Sequence, residues 1–155
     1  WHIKSDLKKF KNITSNTINN LKQNAVIMGS KTYDSLPCNN LENRINIILS
    51  KSNNINNITY NNIDDAVSYC INNDFIENIY IIGGAQIYNI FLTNYIHYID
   101  NIYLTLLKDN YKCDTYILIK NIFSNFNFIL HDDYNNEKDK YISYICEKKS
   151  KKYIT

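Results

Sequence analysis

No apolar run in this chain approaches the roughly 18 residues that a membrane-spanning helix needs, and no signal peptide opens it, so neither a membrane anchor nor export is expected. The sequons "NIT" at Asn12 and Asn57 are accordingly read as idle. The four cysteines, Cys38, Cys70, Cys113 and Cys146, form no CxxC pair and have no histidine close by. That spacing excludes a zinc site or any other metal centre built on them, and a disulfide framework. It implies a reduced chain in the cytoplasm. Charge of one sign is also scarce. A net charge of +2, dispersed along the sequence, excludes a nucleic-acid groove, and the basic tail "EKKSKKY" reads as a solvated end. Neither a dinucleotide-binding GxGxxG nor a Walker motif is present, and no internal repeat is evident. Glycine is scarce too: Gly29, Gly83 and Gly84 are the only three.

What is there describes one ordinary globular domain spanning residues 1–155. The composition is 45% hydrophobic, 14% aromatic and 21% charged, and 155 residues bury a core without disulfides or metals. Patches such as "SNNINNITYNN" reflect coding bias and form a loop with one short strand at "NITY". The runs "NAVIMG" and "RINIILSKS" are β-branched and closed by small or polar residues, so each reads as a strand buried on both faces. "IDDAVSYCIN" carries a helical apolar stripe at Ile63, Ala66, Val67, Cys70 and Ile71, and "NIYIIGG" follows as another buried strand. "AQIYNIFL" reads as a helix and "DNIYLTLL" as a strand. Strands alternating with helices predict an α/β fold with a mostly parallel sheet flanked by helices. The end differs, because "NFNFILHDDYNNEKDKYISYICEKK" holds two alternating runs around a polar turn: an antiparallel hairpin at the sheet edge.

All three glycines fall where a predicted strand ends and a helix begins. In open α/β sheets that edge binds ligands. Glycine lets the backbone approach a bound group, and the helix N-terminus that follows offers free N–H donors to a phosphate. Two such junctions suggest a ligand anchored at two points.

Five blocks, in order, carry a resemblance over nearly the whole chain: "WHIKSDLKKFK", "VIMGSKTYDSLP", "LENRINIILSKS", "IYIIGGAQIYNIFL", and "DNIYLTLL" followed by "CDTY". Together they resemble dihydrofolate reductase. The resemblance implies NADPH as cofactor, dihydrofolate as substrate, and hydride transfer to C6 of the pterin. Asp6 matches the carboxylate that accepts two parallel hydrogen bonds from the pteridine ring. Leu7 and Phe10 share its wall, and Phe10 is expected against the aminobenzoyl group. Ser35, Leu36, Leu41 and Ile82 are expected to complete the substrate sleeve. Arg44, the only arginine, matches the residue that grips the substrate's glutamate carboxylate through a planar fork. Thr105 matches a threonine whose hydroxyl supports the catalytic carboxylate, and Tyr88 is expected to approach the reacting rings as a third catalytic residue.

On the cofactor side, the resemblance implies a cis peptide between Gly83 and Gly84, with Ala85, Gln86, Ile87 and Tyr88 opening a helix toward the pyrophosphate. Gly29, Ser30, Lys31 and Thr32 form the second anchor, and Ser50 with Lys51 is expected at the adenosine 2′-phosphate, which favours NADPH over NADH. Four positions depart from the family pattern: Ser30 stands for a basic residue, Tyr33 for a common tryptophan, Glu42 for a common proline, and "CDTYIL" lacks "FP". The chain also begins at Trp1, where family members carry a preceding strand and a loop covering the nicotinamide, so the sequence reads as a fragment that lacks both. A thymidylate synthase, fused or associated, is a possible partner. Two rival readings stand beside the reductase: a non-catalytic remnant or binding protein of the same fold, and a related-fold reductase of riboflavin synthesis.

Overall fold

The strand predicted from "NAVIMG", β1 (Gln23–Gly29), has Ala25, Val26, Ile27 and Met28 fully shielded from solvent. Such burial needs partners on both sides, and β1 has them: β2 (Arg44–Leu49) and β4 (Ile76–Gly83) flank it, both parallel. With β3 (Ile58–Tyr60) parallel to β2, the sheet order is β3-β2-β1-β4. The computed structural model describes residues 3–38, 40–52, 57–135 and 140–149. Trp1, the middle of the Asn-rich segment, the polar turn at 136–139 and the basic tail past Lys149 lie outside the described residues.

Two compact units make up the chain, Trp1–Tyr88 and Asn89–Thr155. The first holds the parallel sheet with α1 (Lys4–Ser15), α2 (Ser30–Asp34) and α3 (Ile63–Ile71). α3 starts sharply because Asn62 caps it: its side chain accepts from the Asp65 N–H at 2.8 Å and donates to the Asp65 carboxylate at 2.7 Å. The predicted stripe then buries Ala66, Val67 and Cys70, while Ile71 stays exposed at the helix end. β4 departs from the expectation of a fully buried strand. Its ends, Ile76 and Gly83, are buried, but Asn78 and Ile79 are exposed, since β4 is an edge of its sheet among the described residues.

α4 (Ala85–Asn94) begins in the first unit and ends in the second. After a single 3-10 turn at Ile96–Tyr98, the second unit contains β5 (Asn101–Leu107), α5 (Ile119–Asn125), β6 (Phe126–Asn135) and β7 (Lys140–Lys148). β6 and β7 form the predicted antiparallel hairpin, but among the described residues it pairs with β5 in a separate three-stranded antiparallel sheet, order β5-β7-β6, and not at the edge of the parallel sheet, so β5 is not the parallel strand expected. Leu92, Ile122, Phe126 and Cys146 form its buried cluster. α5 was not expected from the sequence. It has seven residues, no side-chain cap and one buried side chain, Ile122, so its apolar period is too short to stand out. Among the described residues no helix is long and apolar enough to cross a membrane.

Candidate active site

Two strand–glycine–helix junctions meet at one end of the parallel sheet. β1 and β4 run side by side with Met28 opposite Gly83, so their C-terminal ends coincide. β1 leads through Gly29 into α2, and β4 leads through Gly83 and Gly84 into α4. A Cβ built on Gly84 would lie 3.2 Å from Thr32 Oγ1, and one on Gly29 would lie 3.4 Å from Ile87 Cγ1 and 4.0 Å from the Gly83 carbonyl oxygen. A side chain at Gly84 would therefore crowd Thr32, while one at Gly29 would meet Ile87 in ordinary contact. The Gly83–Gly84 peptide is cis, as the resemblance implied, and Gly83 has φ +105°. Tyr88 folds back over Gly83, its Cε2, Cζ and hydroxyl 2.8, 3.0 and 3.2 Å from where a Cβ would stand.

That packing sets the chemistry of Tyr88. Desolvation pushes its phenol up to about 12, although 37% of the residue is exposed; the burial falls on the hydroxyl end that covers Gly83. The phenol stays protonated at working pH, so its hydroxyl is available as a hydrogen-bond donor and is not a base. Ala85, Gln86 and Ile87 form the first turn of α4, whose N–H groups lack an intrahelical acceptor. Ser30 and Thr32 are half-buried, Lys31 exposed.

A second group of candidates gathers on α1 and the start of β2. Asp6, Phe10 and Thr14 recur every four residues and so share a helix face. Asp6 and Phe10 are half-buried, Leu7 exposed and Thr14 buried. The Arg44 guanidinium lies over the Phe10 ring, 6.0 Å from its centre, and is itself buried. Its Nε donates to the Glu42 carbonyl at 3.0 Å and its Nη1 to the Thr14 hydroxyl at 2.8 Å. Desolvation lowers its pKa from the ordinary arginine value, and the nearby Glu42 charge opposes the shift; the group remains a cation at neutral pH. Leu36, Leu41 and Ile82 pack together against the buried Val26, Met28, Tyr33 and Ile48. Asn46 fixes the loop that carries Leu41, accepting from its N–H and donating to its carbonyl, both at 3.0 Å. Asn43, in that loop, takes the left-handed conformation at φ 59°, which asparagine tolerates better than most residues.

The remaining candidates are placed as follows. Ser35 is exposed and donates its hydroxyl proton to the Thr32 carbonyl at 2.7 Å, within its own helix turn. Ser50 is anchored to β3 through its N–H on the Tyr60 carbonyl at 2.9 Å, and Lys51 beside it is exposed. Thr105 is half-buried on β5 opposite Ser143, in the second unit. Tyr33, the residue at the tryptophan position, is buried and accepts a 2.6 Å hydrogen bond from the Asn57 amide, a contact that an indole N–H has no lone pair to accept.

The family model for dihydrofolate reductase matches residues 1–150 of the chain. The chain belongs to the dihydrofolate reductase family. It is 35% identical to a dihydrofolate reductase of Ureaplasma parvum over 159 aligned positions, covering 97% of this chain and 86% of that one. It is 34% identical to a bifunctional dihydrofolate reductase-thymidylate synthase of Daucus carota over 131 positions, 76% of this chain but 24% of that protein. The chain thus spans about a quarter of that bifunctional relative. The Schistosoma mansoni dihydrofolate reductase structure superposes with a TM-score of 0.78 over 96% of this chain and 87% of that one, at 24% identity, a likeness of fold. Dihydrofolate reductase membership implies a nicotinamide cofactor and agrees with the α/β architecture. Sequence reasoning missed three polar residues that bond to these candidates or to one another: Thr14 to Arg44, Asn24 to Thr14 and Asn46 to Leu41. For Thr14 the four-residue spacing from Asp6 and Phe10 was a usable signal; for the two asparagines, set among many others, there was none.

Proposed function

We propose that this chain reduces 7,8-dihydrofolate to 5,6,7,8-tetrahydrofolate with NADPH, in the cytoplasm, and so feeds one-carbon metabolism and thymidylate synthesis. The observation that carries this reading is the meeting of the Gly29–Thr32 and Gly83–Tyr88 junctions at the C-terminal ends of neighbouring parallel strands. Glycine keeps the cleft between them open, which suits a pyrophosphate approached by backbone. Gly29, Ser30, Lys31 and Thr32 would hold NADPH on one side, and Gly83, Gly84 and the first turn of α4 on the other. Ser50 and Lys51 would take the 2′-phosphate, with exposed Lys31 and Lys51 supplying the charge that Ser30 does not. When bound, NADPH supplies the hydride delivered to C6 of the pterin.

The protein's own part is orientation and charge. Asp6 holds the pteridine ring by two parallel hydrogen bonds, and its negative charge favours protonation at N5, the proton arriving through water. Leu7, Phe10 and Ser35 line the substrate's path. Leu36, Leu41 and Ile82 form its apolar sleeve, and Arg44 takes the glutamate carboxylate. Tyr88 donates toward the reacting rings without taking a proton. A thymidylate synthase fused to or associated with this chain, as the carrot relative's name records for that protein, belongs to the same proposal.

Asp6→Asn in the full chain tests the reading. With NADPH oxidation followed by absorbance, turnover at neutral pH should fall by roughly 10²–10⁴-fold, the span of a general acid–base contribution. Part of it should return at low pH, where dihydrofolate arrives already protonated. Undiminished turnover at neutral pH overturns the assignment.

A further inference from the structure

A buried threonine and a buried arginine 30 residues apart are joined by a single hydrogen bond, and the atoms around it explain its direction. Thr14 Oγ1 donates its only proton to the Phe10 carbonyl at 2.8 Å, one helical turn back. The hydroxyl can therefore only accept from Arg44 Nη1, at 2.8 Å. Thr14 is held at its other end as well: its carbonyl accepts from Asn24 Nδ2 at 3.1 Å, and Asn24, fully buried on β1, also donates to the Asn16 carbonyl at 2.7 Å. Asn24 Oδ1 in turn accepts from the Asn78 N–H and side-chain amide on β4, at 3.1 and 3.0 Å. A continuous chain of bonds thus runs from the sheet, through Thr14, to the guanidinium.

On the Arg44 side, Nε is committed to the Glu42 carbonyl and Nη1 to Thr14, while the Phe10 ring lies against the guanidinium. Two bonds on two different nitrogens fix the plane of a flat group. Among the described residues no buried side-chain nitrogen is left unsatisfied, and none of their polar groups is bonded to Nη2, so Nη2 keeps some exposure although the arginine as a whole is only 8% exposed. Nη1 carries a second hydrogen, and with Nη2 it can offer the two parallel N–H groups that a carboxylate needs for a planar grip.

We propose that Thr14 is a positioning residue for substrate: its hydroxyl locks the Arg44 guanidinium so that the free edge is presented to the glutamate carboxylate of dihydrofolate. The proposal rests on the reading of Arg44 as the carboxylate-binding residue. An untethered arginine would lose conformational entropy on each binding event; a tethered one has already lost it on folding. The effect belongs to substrate affinity and not to the hydride step.

The test measures kcat and KM in the full chain for dihydrofolate and for a 6-methyl dihydropterin that lacks the glutamate tail. Thr14→Val should raise KM for dihydrofolate by roughly tenfold, the scale of one hydrogen bond to a charged group. kcat and the KM for the tail-less pterin should stay within twofold, and Thr14→Ser should restore the dihydrofolate value. Thr14→Ala gives the same readout should valine disturb α1. Arg44→Leu is run alongside. If Arg44→Leu raises KM for dihydrofolate alone and the Thr14 variants do not, the positioning role is refuted while Arg44 keeps its part. If Arg44→Leu leaves KM unchanged, the reading beneath the proposal fails and the proposal with it. Equal KM increases for both substrates in Thr14→Val would mark a merely structural residue and also refute it.

Discussion

Replacing Gly83 by alanine should destabilise this protein far more than the same change at Gly29, although both glycines end strands at the same sheet edge. Gly83 has φ +105°, well beyond the left-handed region near +57° that asparagine and aspartate visit. Its Cβ would also stand 2.8 Å from Tyr88 Cε2 and 3.0 Å from Cζ, closer than real Cβ contacts come. The ring is the far end of a side chain and can swing, so the backbone carries most of the cost. A sparsely populated φ costs about 1–3 kcal/mol and displacing packed atoms typically adds about 1–3 kcal/mol, for a sum of about 2–6 kcal/mol, toward the lower end because the ring can move. Gly29 differs on both counts: its φ is −77°, open to any residue, and its Cβ would meet Ile87 Cγ1 at 3.4 Å, an ordinary contact. Alanine there also restricts the unfolded chain, which contributes about 0.4–1 kcal/mol in favour of folding. Urea unfolding of both variants, read as midpoints at constant slope, gives the comparison. Gly83→Ala should lose a large part of a total stability of about 5–15 kcal/mol, and Gly29→Ala should be neutral or slightly stabilised. Equal effects at the two positions would refute the reasoning from φ and Tyr88.

Three further outcomes are expected. Lys51→Ala should weaken NADPH binding about three- to tenfold and leave NADH binding unchanged, the difference shrinking at high salt because the lysine is exposed; fluorescence titration at two ionic strengths checks it, and equal losses for both cofactors would contradict it. Asn24→Ala should cost about 1–3 kcal/mol in urea unfolding, since it leaves the buried Thr14 carbonyl without its partner and removes the bonds to the Asn16 carbonyl and the Asn78 N–H, both at exposed residues. Burial pushes the Cys70 thiol up to about 11 from an ordinary 9.0, so the folded chain holds this proton where the unfolded chain releases it. The stability from that neutral thiol is complete below about pH 9 and is lost as pH rises through about 11, so unfolding midpoints should fall across that window more steeply in the native protein than in Cys70→Ala. Parallel curves would argue against a buried neutral thiol.

The strand and helix order was legible in the sequence because it depends on local patterns. Val26 to Met28 and Ile47 to Leu49 are short β-branched or apolar runs that suit a buried strand, and the stripe from Ile63 to Ile71 has a helical period. The glycine junctions were legible for the same reason: with three glycines in the chain, two positions could be marked as places where backbone approaches a ligand. Asp6 and Phe10 could be set on one helix face by counting residues. The match to dihydrofolate reductase then attached chemistry to those positions.

What only the tertiary structure decided are the relations between residues far apart in sequence. That Gly84 stands against Thr32 follows from β1 and β4 lying side by side with Met28 opposite Gly83, a register that no local pattern states. The exposed middle of β4 follows from its place at the sheet edge, although its apolar residues resemble those of a central strand. The bonds from Asn78 to Asn24, from Asn24 to Thr14 and from Arg44 to Thr14 span 54, 10 and 30 residues. An asparagine on a surface loop and an asparagine buried in the sheet are the same letter. Only packing distinguishes them, because a polar side chain removed from water must find its partners wherever the fold has put them.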